Sequence, residues 1–343
     1  MSFRAWVSLV TFTALLLILF AARHELAAAW HLLGSVNLWI LALIVPAQII
    51  SYYGVGNIIF EYLRAKGELK ATNRVQLTRM ALELNFVNHI LPSGGVSGFS
   101  YMGWRLSKLG VTAGRATMAQ VVRFALTFLV FVMLLVVSVI LITLDGSVNR
   151  FAILTSSLLS STIIFASLFA VYIIGSLQRL HAFAAALEAA GNSLTQRLLG
   201  GRRLIKRRVL EKFFEDLHKD YVELKADVGL LKRPFVWALL VNVIEIVGFM
   251  LVFLSLGVWV NPAMLLIAYG LAGLAGFFVA TPGGLGVYEA LMISFLVTAG
   301  APQGATIAAV LLARVILILL TIITGYVFYQ LTILQYGKRP SER

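Results

Sequence analysis

The 343-residue sequence contains no cysteine. Disulfide frameworks, thiolate metal sites and cysteine nucleophiles are thereby excluded. Charge is also scarce: Asp, Glu, Lys and Arg make up 13% of the residues, against about 25% in an ordinary soluble domain. The five histidines, His24, His31, His89, His181 and His218, include no pair at the HExxH spacing of a zinc site. No metal site is expected. There is no Walker A loop, no DxD pair and no Ser/His/Asp set at an interpretable spacing. The sequence therefore assigns no catalytic residue and no cofactor.

What is abundant is apolar surface. Hydrophobic residues account for 60% of the chain, and several runs exceed the ~18–20 residues that cross a ~30 Å hydrocarbon core. Six full spans are read, at roughly Trp6–Ala22, Leu38–Phe60, Ala116–Leu144, Phe151–Ser176, Phe235–Val258 and Ala305–Leu331. A cleaved signal peptide is the rival reading of the first run. A retained span is preferred, because the run is longer than a signal core and forms a hairpin with the next span. Two further apolar segments are interrupted. One, 75–106, is broken at Pro92-Ser93-Gly94-Gly95, and the other, 262–299, at Pro282-Gly283-Gly284-Leu285-Gly286.

The net charge of +13 would suggest nucleic acid in a soluble protein. Its placement says otherwise. With the N-terminus inside, the N-terminal stub, 61–79, 104–115, 177–234 and the C-terminal tail hold 24 Lys/Arg, and the outer loops hold only Arg23 and Arg150. Positive charge of that bias marks the cytoplasmic face of an inner membrane, where basic loops meet anionic lipid. Both termini are then cytoplasmic, and no nucleic-acid partner is expected. The same topology requires the two interrupted segments to enter and return on one side each, the first from the cytoplasm and the second from outside. Irregular backbone at that depth is tolerated only where protein or a watered cavity satisfies it.

The interrupted segments also resemble each other. At an offset of 190, Pro92, Gly94, Gly110 and Gly114 align with Pro282, Gly284, Gly300 and Gly304, and Arg123 falls one residue from register with Arg314. The expected fold is an all-α integral membrane protein of six transmembrane helices plus two re-entrant helical hairpins, arranged as an inverted repeat. Its halves are 1–148 and 149–343, and the second carries a cytoplasmic amphipathic insertion, 177–234. Paired interrupted segments in inverted halves point to a transport site between them. Within the insertion, Leu210, Phe214, Leu217, Tyr221, Leu224, Val228 and Leu231 form a heptad-like seam. The seam reads as a face lying on the membrane or packing on a neighbouring helix, with a homodimer through the insertion as its alternative use.

Charge inside a span is costly, about 2.5 kcal/mol or more at its centre, and so is a functional candidate. Glu83, Arg123, Glu245, Glu289 and Arg314 qualify. Each return arm beyond a Pro/Gly tip begins a helix, whose unpartnered amides and dipole favour an anion, and glycine lets a phosphate come close. Pro92, Gly94, Gly95, Pro282, Gly283, Gly284 and Gly286 are therefore assigned to substrate binding, with Arg123, Arg314, Glu245 and Glu289. Weaker polar candidates are Asn85, Asn88, His89, Ser93, Ser97 and Ser100 near the first tip, and Gln48, Tyr52, Tyr53 and Asn57 in the second span.

The stretch Pro282-Gly283-Gly284-Leu285-Gly286-Val287-Tyr288-Glu289-Ala290 resembles the PGGLGxxE motif of the transmembrane region of lysylphosphatidylglycerol synthases and their stand-alone, flippase-like relatives. The short loop Ala299-Gly300-Ala301-Pro302 and a span bearing Arg314 follow, as in that family. In the first half, Asn88 to Gly95 resembles its N..LPxGG stretch, with Arg105 and Arg123 after it. Asn88, His89 and Arg105 join the candidate binding residues on this resemblance. One departure is that many relatives carry an acid soon after the first tip, whereas Ser97-Gly98-Phe99-Ser100 has none. The soluble aminoacyl-transferase domain of the full-length synthases has no counterpart in these residues, so lysyl-lipid synthesis is not implied. The resemblance implies translocation of an anionic phospholipid or polyprenyl-phosphate lipid, or a helper role beside lipid or glycan biosynthesis enzymes. A membrane-embedded lipid- or glycosyl-transferring enzyme, or its accessory subunit, is the alternative. It would have to draw on Glu61 and Glu68, the only acids near the cytoplasmic interface.

The topology is checked by single cysteines on the cysteine-free background. A cysteine at position 107 is expected to label from the cytoplasm and one at 303 from outside. The reverse pattern at either position overturns the assignment.

Overall fold

The computed structural model describes residues 36–90, 96–144, 150–199, 207–278 and 286–336, with positions 13, 20, 23 and 34. Most of the first expected span, the tip at 92–95 and residues 282–285 of the second tip lie outside the described residues. Among those described, all regular structure is helical. Five helical stretches, Leu38–Ala65, Ala113–Leu141, Ile153–Ile174, Val228–Ser255 and Gln303–Gln335, are long and apolar enough to cross a membrane. They coincide with the second to sixth expected spans, so the chain is an all-α, multi-pass membrane protein. The surface agrees. Leu154, Leu158, Phe165 and Phe169 of one helix are 61–72% exposed, a large apolar face that suits hydrocarbon and not water.

In chain order the helices are α1 (Leu38–Ala42), α2 (Ile44–Ala65), α3 (Arg74–Ile90), α4 (Val96–Ser107), α5 (Ala113–Leu144), α6 (Arg150–Ile174), α7 (Leu177–Leu199), α8 (Arg207–Ala226), α9 (Lys232–Ser255), α10 (Pro262–Phe278), α11 (Val287–Thr298) and α12 (Gln303–Tyr336). A 3-10 turn, Val228–Leu231, joins α8 to α9. The helices flanking each interrupted segment match in length. α3 and α10 have 17 residues, and α4 and α11 have 12. At 1.5 Å per residue these are roughly 26 Å and 18 Å long, and α3 packs on α4 as α10 packs on α11.

Local hydrogen bonding at the ends of these helices matches too. The Asn73 side chain accepts from Val75 N (3.1 Å) at the start of α3, and the Asn261 side chain accepts from Ala263 N (2.9 Å) at the start of α10. Asparagine is favoured there because its oxygen satisfies an amide that the helix leaves unpaired. After α4, Val111 N donates to Leu106 O and Gly110 N to Ser107 O. After α11, Ala301 N donates to Leu296 O and Gly300 N to Val297 O. This is one Schellman-type turn made twice, 190 residues apart. Each copy places a glycine at positive φ, 84° for Gly110 and 100° for Gly300, where a side chain would be strained.

The matched elements pack crosswise. Arm α3 lies along α12, while arm α10 lies along α5, and α2 and α9 form the central pair. Close approach depends on small residues. A Cβ at Gly56 of α2 would meet Ala81 of α3 at 2.4 Å, and one at Gly325 of α12 would meet Phe86 Cβ at 2.4 Å and Leu82 O at 2.9 Å. Arm α3 is thus held between two glycine-bearing helix faces, the packing that brings backbones together in lipid.

The insertion folds back on the membrane core. Phe214 and Leu217 of α8 are buried in one cluster with Ile58, Ile59, Phe60, Tyr62 and Leu63 of α2 and Met118 and Ala119 of α5, and Tyr221, Leu224 and Leu231 pack against it. The heptad-like seam is used within the chain, on neighbouring helices. Val228 departs from it at 63% exposure, because α8 has ended at Ala226. Lys66 donates to Glu223 at 2.8 Å and holds its carboxyl below the usual carboxylate range, while His218 Nδ1 contacts Ile174 O at 2.7 Å.

Gly325→Val is expected to overpack the α3–α12 crossing by about 1–3 kcal/mol and to lower the melting temperature in detergent. Gly304, which has open space around its Cβ position, is the control. Gly304→Ala is expected to stabilise by up to about 1 kcal/mol through helix propensity.

Candidate functional site

Helix α12 is the axis of the site. Arm α3 runs antiparallel to it. Glu83 meets Thr332, Phe86 meets Tyr329 and Tyr326, and Val87 and Ile90 pack with Ile318 and Ile322. The tip end of the first helix pair therefore points at the middle of α12. The second pair comes from the opposite end: α11 finishes beside the start of α12, and its first turn reaches Arg314. Both tip ends converge near the centre of α12, which at 34 residues is roughly 50 Å long.

Buried carboxylates tie these elements together. Glu83 is fully buried. Its Oε2 accepts from Arg105 Nε (2.9 Å) and from the Tyr101 hydroxyl (2.8 Å), both on α4, and its Oε1 accepts from the Thr332 hydroxyl (2.6 Å) on α12. One side chain thus staples three helices. In the second pair the acid sits on the return arm. Glu289 pairs with Arg314 through Oε1, and its Oε2 accepts from Gly286 N at 2.6 Å. Gly286 lies at φ 89°, which favours glycine, and Glu289 stands three residues on, where a carboxylate closes back onto the helix start. The Gly-x-x-Glu spacing of the motif is therefore a helix cap whose free oxygen engages a span arginine. Arg314 also lies over the Tyr288 ring, 4.6 Å from its centroid, a favourable cation–π placement.

Glu245, midway along α9, accepts hydrogen bonds from Ser51 and Gln48 of α2. Among the described residues no Lys or Arg pairs with it. Beside it the Tyr52 hydroxyl bonds Thr321 of α12. Tyr288, under the Arg314 guanidinium, is adjacent to Glu289, and Tyr52, adjacent to Ser51, links α2 to α12 at Thr321. The structure thus sets Glu245, Glu289 and Arg314 in a polar cluster around the middle of α12, with His89 in the last turn of α3. The nearer ring nitrogen of His89 contacts Asn85 O at 2.8 Å. Asn88 is used in packing: a Cβ at Gly98 would fall 1.8 Å from its Oδ1.

Arg123 stands apart from this cluster. On α5, Gln120 donates to Phe99 O of α4 (3.1 Å), and the antiparallel register then sets Arg123 beside the first turn of α4. Arg314 holds the same relation to the first turn of α11. Arg123 lies 4.1 Å over the Phe124 ring, and its buried Nε has no hydrogen-bond partner. Among the described residues it forms no ion pair. Arg105 is committed through Nε to Glu83. Pro92, Gly94, Gly95, Pro282, Gly283 and Gly284 lie outside the described residues. Sequence reasoning assigns no role to Tyr101, Thr332, Ser51, Tyr288 or Thr321. Only Ser51, three residues after Gln48 and so on its helical face, and Tyr288, inside the Gly-rich motif, carried a usable signal.

Removing one partner of a buried pair leaves an uncompensated charge, typically costing about 3–5 kcal/mol. Glu83→Gln or Arg105→Gln alone is expected to unfold the first helix pair at lower temperature in detergent. The double variant is expected to recover a large part of that loss, and strict additivity would remove the coupling.

No curated protein matches the chain. Residues 5–325 match the family described as the lysylphosphatidylglycerol synthase TM region. The match covers nearly the whole sequence and includes the Gly-x-x-Glu cap and the span bearing Arg314. The protein belongs to the lysylphosphatidylglycerol synthase transmembrane-region family.

Proposed function

We propose that the protein is an inner-membrane lipid translocase that carries an anionic phospholipid or polyprenyl-phosphate lipid between leaflets. The observation that carries this reading is the convergence of two helix pairs on the middle of α12 from its opposite ends. At 17 and 12 residues their arms are short for a crossing of ~30 Å, which supports two re-entrant hairpins. The repeated asparagine caps, Schellman turns and crosswise packing support an inverted repeat, with halves 1–148 and 149–343. With both termini cytoplasmic, one hairpin opens toward each leaflet. The family's name links it to a lipid, in keeping with this substrate class.

Each return arm begins at an arginine of the following span, Arg123 for α4 and Arg314 for α11. A helix start and a guanidinium at membrane depth favour a phosphate. Glu289 keeps Arg314 paired between substrates. A phosphate passing from one arginine to the other crosses the midplane without ever lacking a cation. The enzymatic alternative has less to work with. Glu61 is held by Arg64 and Arg233, and Glu68 by Arg115.

Losing one charge-assisted contact typically removes about 1.5–3 kcal/mol, or roughly ten- to hundred-fold in affinity. Arg123→Gln breaks no described ion pair and is the cleaner variant. In proteoliposomes it is expected to slow transbilayer movement of fluorescent anionic lipids by that order and of zwitterionic ones less. Arg314→Gln is expected to do the same at some cost in stability, because Glu289 loses its partner. Wild-type rates for both variants in folded, correctly inserted protein would exclude the phosphate relay.

A further inference from the structure

At the C-terminal end of α12 a cavity of about 320 Å³ lies between the first turns of α3, the end of α4 and the last turns of α12. It is lined by Asn73, Gln76, Arg79, Arg105, Thr332 and Gln335, with Val75 at its edge. Among the described residues no carboxylate lines it. Glu83 lies behind its wall and is taken up by Arg105, Tyr101 and Thr332. That pairing offsets one guanidinium and leaves the cavity with the charge of the other. Among the described residues Arg79 forms no ion pair. Its Nε is buried without a hydrogen-bond partner, and its guanidinium carbon lies 5.3 Å from the centroid of the Phe328 ring. A buried donor with no partner among the described residues is costly to leave unmet and calls for an acceptor at this recess.

We infer that this cavity binds the phosphate of an anionic lipid headgroup and that Arg79 is the residue that recognises it. The inference rests on the lipid-translocase reading and extends it to the site where the lipid is first taken up. Gln76, Arg79 and Glu83 fall at i, i+3 and i+7, one face of α3, so the cavity opens along the face that leads to the buried Glu83–Arg105 pair. Its volume is at the small end for ligand sites, roughly 300–1,000 Å³, and suits a headgroup but not a whole lipid. Val75, 64% exposed at the edge, gives acyl chains an apolar exit. Asn73, Gln76 and Gln335 add donors around the charge. A second polar cavity, about 570 Å³, is bounded by Arg150, Trp259, Asn261 and the 299–302 turn. It lies at the opposite end of α12, about 45 Å away at 1.5 Å per residue.

The test is binding by native mass spectrometry on the full-length protein in detergent. Short-chain phosphatidylglycerol, short-chain phosphatidylcholine and inorganic phosphate serve as separate probes. Wild-type protein is expected to retain phosphatidylglycerol. Arg79→Gln is expected to weaken that binding at least ten-fold and Arg79→Lys less, because lysine keeps the charge and loses the guanidinium geometry. Gln335→Glu on the exposed rim, which breaks no described contact, is expected to weaken it as well by placing a negative charge at the mouth. Equal retention of phosphatidylglycerol by wild type, Arg79→Gln and Gln335→Glu would overturn the inference. So would binding of inorganic phosphate as tight as that of the lipid, which would assign the cavity to a free anion. Proteoliposome flipping is measured on the same variants. Loss of binding with no flipping even in wild type would leave this site standing and remove the translocase reading. Normal flipping with unchanged binding in the variants would do the reverse.

Discussion

A carboxylate in hydrocarbon has to be paired or hydrogen-bonded within a few ångströms, and much of the arrangement depends on how that is done. Born-type costs make a lone buried charge untenable, so each acid recruits partners from other helices. Glu83 draws α4 and α12 onto α3, Glu289 draws α12 onto α11, and Glu245 draws α2 onto α9. These contacts join elements far apart in sequence. They fix register as well as proximity, because a helix rotated by one residue would carry its acid about 100° away from its partner. Apolar packing between helices cannot impose that in lipid, where the surrounding chains are as apolar as the interface. The glycine crossings at Gly56 and Gly325 allow the approach, and the acids decide the angle.

The two helix pairs meet the same burial requirement in different ways. In the first, acid and base lie on the two arms of one hairpin, Glu83 and Arg105, and α12 adds only a hydroxyl. In the second, the acid caps the return arm and its base comes from the following span. The first pair is consequently closed on itself, and the span arginine that follows it, Arg123, is left without a described ion-pair partner. The missing acid after the first tip, at Ser97 to Ser100, is thus balanced by an acid on the other arm. On the proposed reading this asymmetry separates the roles of the two arginines: Arg314 exchanges Glu289 for substrate, whereas Arg123 has only substrate to meet.

Much of the fold was legible in the sequence, because membrane depth restricts backbone to few solutions. Apolar runs located the five described spans to within a few residues, and the 190-residue offset between glycines reappears as two hydrogen-bonded turns with the same donors and acceptors. The candidate site was legible in part. Charges within apolar runs stand out, so Glu83, Arg123, Glu245, Glu289 and Arg314 are marked. The hydroxyls around them, Ser51 at Glu245, Thr332 at Glu83 and Thr321 at Tyr52, do not stand out, because a hydroxyl within a span is cheap to bury by bonding its own helix. Arg79 was hidden for another reason. Residues 74–82 mix charge with apolar positions and read as the end of a basic loop, whereas they form the first turns of α3. The seam of the insertion was visible as spacing, but spacing does not identify the face it packs on or show that α8 stops before Val228.

Placed along α12, the polar groups form a series rather than a single pocket. Thr332 stands with Arg79 and Arg105 at one end, Thr321 with Tyr52 nearer the centre, Arg314 with Glu289 beyond it, and the 299–302 turn with Arg150 at the other end. A single deep binding site would hold an anion tightly and release it slowly, since affinity differences appear mainly in dissociation rates. On the proposed reading, cations that are each part-neutralised by a carboxylate or ringed by neutral donors avoid that trap. Glu83 limits the pull of Arg105, and Glu289 limits that of Arg314. On this argument the buried acids are as necessary to movement as the arginines: without them the same cations would bind a lipid phosphate and keep it.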